Sequence, residues 1–309
     1  MKVAVIGAGI WGKNLVNNFA ELGVLHAVAD TVEGNQKWVR ENHAEVMVFK
    51  SAAELYQAGG IDAVAIATPP HTHHALAKQA METGVDVLVE KPLTLDPVEA
   101  EDLVKVAQKT SRILMVGHLL MYQPAIAFIK SYLEQGKLGS IYTLTQRRSK
   151  LGRVRAVENV LWSFGVHDVA VLLHLVGEEP SQVQGFGHAG ISQGVEDDFH
   201  LHLSFPSGVK ANLHNSWLWP RVERELIVVG EKGMLVFDEL SSQVSLCKKT
   251  VDVELAHDDS GEELLFEGTA KPLKLELEHF IQCCENRSTP ISGPENGLVV
   301  VRTLSQVNS

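Results

Sequence analysis

With 309 residues, 45% of them hydrophobic and 21% charged, the chain has the composition of a globular protein with room for two cores, not of a disordered or fibrous one. A formal charge of −11 argues against a nucleic-acid partner, because neutralising phosphates requires a basic face. The apolar start MKVAVIGAGIWG is broken by glycines and lacks the basic region and cleavage site of a signal peptide, and no stretch reaches the roughly 18 apolar residues of a membrane span, so a cytoplasmic protein without membrane attachment is expected.

Residues 2–6, KVAVI, form the β-branched run of a buried parallel strand and lead directly into Gly7-x-Gly9-x-x-Gly12. The following KNLVNNFAEL carries apolar residues at helical spacing through Leu15, Val16, Phe19 and Leu22, with Gly23 as its stop. Strand, glycine turn and helix in this order define a dinucleotide site. The first glycine permits the tight turn, the second lets backbone approach a pyrophosphate, and the third lets helix pack on strand, while the helix N-terminus presents free N–H groups. The turn Gly7, Gly9, Ile10, Trp11 and Gly12 is therefore assigned to the cofactor. The next strand, HAVAD, ends at Asp30, close to the roughly 20-residue distance at which an acid meets the adenosine ribose. A carboxylate there repels a 2′-phosphate and favours NAD over NADP.

Ser51-Ala-Ala-Glu54 then matches a capping box, and IDAVAIAT (61–68), HHALAKQAMETG (73–84) and VDVLVE (85–90) continue the alternation of strand and helix. Such alternation predicts a doubly wound parallel sheet whose ligands sit at the carboxyl ends of its strands. Thr68-Pro69-Pro70-His71 and Glu90-Lys91-Pro92 both end there. His71 and His74, after the Pro-Pro turn, either cap the next helix or reach the cofactor.

These motifs, with ATPPHTHHALAKQAMETGVDVLVEKPL (67–93) and FGVHDVAVLLHLVG (164–177), resemble the glucose–fructose oxidoreductase, inositol dehydrogenase and rhizopine catabolism (Gfo/Idh/MocA) family over nearly the whole chain. The resemblance implies a Rossmann domain over 1–120 and an α+β domain over 121–309 for substrate binding and oligomerisation, with a C-terminal helix able to return to the first domain. It implies an NAD-dependent enzyme that assembles as a homodimer or homotetramer. By the same resemblance Lys91 lies beside the nicotinamide and touches the substrate hydroxyl, His167 accepts the proton, and the Lys91–Pro92 peptide is cis. Thr68, Pro69, Pro70, His71, His74, Glu90 and Lys91 then join the glycine turn and Asp30 around the cofactor. Where the family often reads Asp-x-Gly-x-His-x-x-Asp, this chain has Ser163-Phe164-Gly165-Val166-His167-Asp168-Val169-Ala170. Ser163 cannot ionise, so His167 and Lys91 remain as the reacting pair, and Asp168 leaves a helix in another direction from His167.

In the second half, a helix over about 124–135 precedes strands near 141–149, 182–188, 197–205, 209–216, 224–229 and 234–238, separated by turn signals such as Phe205-Pro206-Ser207-Gly208 and Gly230-Glu231-Lys232-Gly233. They predict an open, largely antiparallel sheet, one face covered by helices and the other resembling the family's oligomer interface. Residues 272–285 form a returning helix. A narrower resemblance, in MYQPAIAFIK, QRRSKLGRVRAVENVLWSFGVHD and HNSWLWPRVERELIVVGEKGMLVFDE, is to dehydrogenases that oxidise C3 of UDP-N-acetylglucosamine. It places Tyr122, Gln123 and Ser163 near a nucleotide-sugar substrate. The basic run from Arg147 to Arg155, in particular Arg148 and Arg155, suits a diphosphate, which arginine binds bidentately, or else is a basic edge at an interface. The three cysteines show no metal-ligand spacing and the implied chemistry needs no metal. A dehydrogenase of inositol or a free sugar, and a non-catalytic NAD-sensing module, are the competing readings.

Overall fold

A computed structural model describes residues 1–152, 158–191, 193–268 and 271–307. The chain divides into two compact units, residues 1–119 with 272–302, and residues 120–271 with 303–309.

In the first unit six strands form one parallel sheet: β1 (Val3–Ile6), β2 (Leu25–Ala29), β3 (Met47–Phe49), β4 (Ala63–Ile66), β5 (Asp86–Glu90) and β6 (Leu114–Gly117). Their order is β3-β2-β1-β4-β5-β6. Every residue of β1, β4, β5 and β6 is buried, as strands covered by helices on both faces must be. The chain reverses its direction of sheet growth between β1 and β4, and the crevice at their carboxyl ends is where this fold binds ligands. Helix α1 (Gly12–Glu21) buries Leu15, Val16 and Phe19 against the sheet, as its spacing predicts. Between the strands lie α2 (Glu33–Asn42), α3 (Ala52–Ala58), α4 (His73–Glu82) and α5 (Pro97–Thr110). The Ser51 hydroxyl caps α3 by accepting from Glu54 N, and Glu54 reaches back to Lys50 N, one residue before the cap.

The same unit is completed from the far end of the chain by α8 (Pro272–Asn286) and by α9 (Pro294–Ser305) as far as Arg302. Arg287 anchors this return by donating through Nη2 to Asp86 Oδ1 at 3.2 Å, and Val116 N donates to the Ser292 carbonyl at 2.8 Å. Helix α9 has no counterpart in the sequence expectations.

The second unit begins with a short turn through Tyr122 and α6 (Pro124–Glu134). Its sheet is built from β7 (Ile141–Ser149), β8 (Gln182–His188), β9 (Asp198–Ser204), β10 (Lys210–Ser216), β11 (Glu223–Gly230), β12 (Gly233–Asp238), β13 (Gln243–Val251) and β14 (His257–Glu267). In the order β14-β13-β12-β11-β7-β10-β9-β8, β7 and β10 pair in parallel and every other pair is antiparallel. Both expected hairpin turns fall between strands, 205–208 before β10 and 230–233 before β12. Strands β13 and β14 were not anticipated. The first eight residues of β14 are exposed, so it carries no apolar alternation to read, and ion pairs to β13 such as Lys249–Asp259 at 2.8 Å support it instead. One face of the sheet packs on α7 (Val166–Val176), entered through a π-helical turn at Leu161–Gly165.

Candidate functional site

The glycine turn meets its steric requirements. Gly7 has φ +92°, open only to glycine at low cost, and a Cβ there would lie 2.8 Å from the Ala67 carbonyl oxygen. A Cβ on Gly12 would stand 1.8 Å from the Gly7 carbonyl oxygen, so helix and turn close together only without one. Gly9 has open space in front of its α-carbon. Two glycines thus shape the turn from behind and the third leaves its front free for a phosphate group. Ile10, 86% exposed, and Trp11, 40% exposed, border that front although both are large and apolar.

Asp30 is buried at the end of β2 and ties the turn in place, accepting from Ala8 N at 2.6 Å and Asn35 Nδ2 at 3.1 Å through Oδ2, and from Val32 N at 2.7 Å through Oδ1. A carboxylate has about four acceptor positions, so one remains on Oδ1 for a ribose hydroxyl. The open front at Gly9, the helix N-terminus behind it and this acid together fit an NAD molecule.

At the end of β4, Thr72 Oγ1 donates to the Pro69 carbonyl at 2.7 Å, which leaves Thr68 as donor in the 2.6 Å contact between the two hydroxyls. Pro69 and Pro70 start a single 3-10 turn, on which His71 is exposed. His73 carries more of the local structure than either histidine singled out from sequence. Its ring is buried, with Nδ1 at 2.8 Å from the Pro92 carbonyl oxygen and Nε2 at 2.9 Å from that of Thr68, so one imidazole links the loops after β4 and β5. The signal lay in the run His71-Thr72-His73-His74, where helical phase alone decides which ring turns inward. His74 turns to the helix surface, where its Nε2 and the Lys78 ammonium share Asp102 at 2.8 Å each. In this position its ring joins α4 to α5.

Glu90, Lys91 and Pro92 follow at the end of β5, and the Lys91–Pro92 peptide is cis. The Glu90 carboxyl is buried, packs against Gly117 and accepts a hydrogen bond from the Trp11 indole, connecting the glycine turn to this strand end. Burial pushes its pKa up to about 7, against the Trp11 hydrogen bond and the Lys91 charge. Glu276 of α8, also buried, is held well above the ordinary carboxylate range by burial and by Glu90. His118, buried just after β6, is pushed down to about 3 by burial and by the Lys91 charge, so its ring is neutral. Glu276 and His118 were not singled out from sequence, because nothing in their local pattern shows that α8 and β6 meet the Glu90–Lys91 segment.

A carboxyl with a pKa higher in the folded than in the unfolded chain binds extra protons when folded. The stability that Glu90 contributes is complete below the ordinary carboxylate value and is lost as pH rises toward about 7. Denaturant midpoints measured from about pH 5 to about pH 8 should therefore fall less steeply in Glu90→Gln than in the unaltered protein. Identical slopes would remove Glu90 as a titrating group in this range.

In the second unit, His167 lies in the first turn of α7 and is half-buried. The neighbouring Asp168 is fully buried and holds this helix start to the sheet, accepting from Arg148 Nε on β7 and from Asn215 Nδ2 on β10, both at 2.9 Å. Gly165 admits Asn215 to the helix entry, since a Cβ there would meet Asn215 Oδ1 at 2.6 Å. Asp168 thus sets the position of α7, and through it the backbone of His167, without pointing the same way. Ser163 is buried in the π-helical turn, Tyr122 is buried, and Gln123 stands in an extended conformation at the start of α6.

Among the described residues of the basic run, Arg147 and Arg148 do not share one face. Alternate residues of a strand face opposite sides, so Arg147 and Arg148 on β7 diverge. Arg147 pairs with Glu223 at 2.9 Å on one face. Arg148 is buried on the other, and its guanidinium meets Glu239 through Nη1 at 3.1 Å and Nη2 at 2.6 Å in addition to Asp168. Two carboxylates occupy the Arg148 fork and hold its pKa up against burial. Arg153 and Arg155 lie outside the described residues. Among the described residues no helix is long and apolar enough to cross a membrane.

This parallel sheet with its glycine turn, joined to a mostly antiparallel second unit, defines an NAD-binding oxidoreductase. Residues 1–118 match the model of the oxidoreductase family with an NAD-binding Rossmann fold, and residues 126–236 match that of the GFO/IDH/MocA C-terminal domain. The chain belongs to the Gfo/Idh/MocA family. It is 34% identical over 228 residues to UDP-N-acetylglucosamine 3-dehydrogenase of Acidithiobacillus ferrooxidans, covering 73% of this chain and 68% of that one. A solved structure of that enzyme superposes with a TM-score of 0.87 at 27% identity over 99% of this chain and 96% of the other. The scyllo-inositol 2-dehydrogenase (NAD(+)) of Bacillus subtilis is 27% identical over 94% of this chain and 88% of its own length.

Proposed function

We propose that the protein is an NAD-dependent dehydrogenase that oxidises the C3 hydroxyl of a UDP-sugar, UDP-N-acetylglucosamine, to the 3-keto sugar. The observation that carries the enzymatic part is the ammonium-bearing Lys91 at the end of β5, on a strand end joined through Glu90 and Trp11 to the open glycine turn of the same unit. The choice of substrate is supported by the likeness to the A. ferrooxidans enzyme over about three quarters of the chain.

Bound NAD supplies the hydride acceptor. Gly7, Gly9, Gly12 and the flanking Ile10 and Trp11 would hold its pyrophosphate, Asp30 its adenosine ribose, and Thr68, Pro69, Pro70, His71, His74, Glu90 and Lys91 its nicotinamide half. His167 takes the proton of the C3 hydroxyl as general base, and Lys91 stabilises the forming alkoxide by a charge-assisted hydrogen bond. Tyr122, Gln123 and Ser163 orient the sugar, and Arg155 remains the candidate for the diphosphate.

A second reading, oxidation of inositol or a free sugar, is favoured by two observations: Asp168 and Glu239 occupy the Arg148 guanidinium, and the inositol dehydrogenase likeness covers more of the chain. Incubating the enzyme and NAD with UDP-N-acetylglucosamine, other sugar nucleotides, and free polyols, and following NADH by absorbance, separates the two. NADH is expected with UDP-N-acetylglucosamine. Formation with a free polyol alone would overturn the substrate while keeping the reaction type, and cofactor binding without turnover on any of them would point to a sensing module.

A further inference from the structure

A cluster apart from the proposed reacting residues lies on the face of the second unit's sheet opposite α7. Asp198 and His200 are two apart on β9, and strand periodicity puts both side chains on one face. His214 on β10 stands directly across from His200 in the antiparallel register, where side chains of a pair are about 5 Å apart. The two rings stack at 4.1 Å with an interplanar angle of 6°. Their Nε2 atoms turn toward the same carboxylate, His214 at 3.1 Å from Asp198 Oδ2 and His200 at 3.6 Å from Oδ1. One ligand atom from each of the three residues lies within 4.8 Å of the others.

From this geometry we infer that Asp198, His200 and His214 bind a divalent transition-metal ion, with zinc the natural occupant. Two imidazole nitrogens and a carboxylate oxygen suit zinc, nickel, cobalt or copper, whereas magnesium and calcium prefer oxygen ligands only. Metal–nitrogen distances of about 2.0–2.1 Å require the two rings to swing out of their parallel stack so that their lone pairs converge. In the single chain His200 has room to do so, its side chain being 62% exposed. His214 is the fixed member: its side chain is 12% exposed and its ring meets the edge of Trp219 at 5.5 Å. The nearby cation Arg147 is offset by its ion pair with Glu223. Three protein ligands leave a fourth position open, and the bound ion would cross-link β9 to β10.

The test uses untagged full-length protein carrying Cys247→Ser, so that the partly exposed thiol cannot contribute, dialysed free of metal and titrated calorimetrically with zinc chloride. One equivalent of zinc per chain is expected, with a rise in melting temperature that a chelator reverses. His214→Asn and the exposed His200→Asn should each weaken zinc binding by at least about tenfold, the lower end of what altering even a supporting residue of a metal site does. Magnesium chloride should give no binding heat. The inference is overturned if zinc in excess gives no saturable binding, if both histidine variants bind it as the parent does, or if magnesium competes equally. Activity with NAD is not a readout, so failure here leaves the dehydrogenase reading untouched.

Discussion

Replacing Lys91 with alanine is expected to lower turnover by about 10²-fold or more while leaving NAD affinity nearly unchanged. The reasoning rests on when the charge is needed. An ammonium that meets the substrate oxygen only as it becomes an alkoxide stabilises the transition state more than the ground state, so its loss appears in kcat and in kcat/KM together. The glycine turn and Asp30, which carry the dinucleotide, do not depend on the Lys91 side chain. Single-turnover measurements of NADH formation, with NAD binding followed separately by fluorescence, would check both halves. A purely structural Lys91, acting as counter-charge to the buried Glu90 and neighbour of His118, predicts a different pattern. The variant would then show altered stability and pH dependence with turnover preserved, and that outcome would refute the assignment.

The second large effect concerns Arg148, and it is one of stability. Arg148→Met removes the cation that faces a fully buried Asp168 and a largely buried Glu239. Breaking one side of a buried ion pair costs about 3–5 kcal/mol, because the remaining charge is left without compensation in a medium that solvates it poorly. At a few degrees of melting temperature per kcal/mol for a unit of this size, the midpoint should fall by roughly 10 °C. Burial already raises the Asp168 pKa, with Arg148 and Asn215 opposing it. Without Arg148 that carboxyl takes up a proton more readily, so the deficit should shrink as the solution is acidified. An arginine whose task was to hold a substrate diphosphate would instead raise KM and leave the melting temperature where it was. Calorimetric melting at two pH values, with KM for the sugar nucleotide, distinguishes the two.

Much of the Rossmann unit was legible because its signals are local. The glycines of 7–12 meet steric demands that a few adjacent residues impose on one another, and Asp30 follows at the distance one β–α–β segment dictates. The strands of the second unit from β7 to β12 were readable from alternation and turn residues. Strands β13 and β14 were not, because β14 faces solvent along most of its length and is held by its pairing with β13. Among the histidines after β4, His73 and His74 differ by one position, and only the packing of α4 decides that the first bridges two loops while the second meets Asp102.

By itself, then, the order of residues determined the class of fold, the cofactor turn and the acid that borders it, since each follows from steric and hydrogen-bonding rules acting over a few dozen residues. Tertiary structure alone decided the fate of charges and rings brought together across long stretches of chain. Arg148 faces inward because β7 alternates and Asp168 and Glu239 wait beneath it, and Glu276 reaches Glu90 because α8 returns to the first unit. His200 and His214 face one another because the register of β9 and β10 sets them opposite. Such meetings depend on register and long-range packing, which no local pattern encodes.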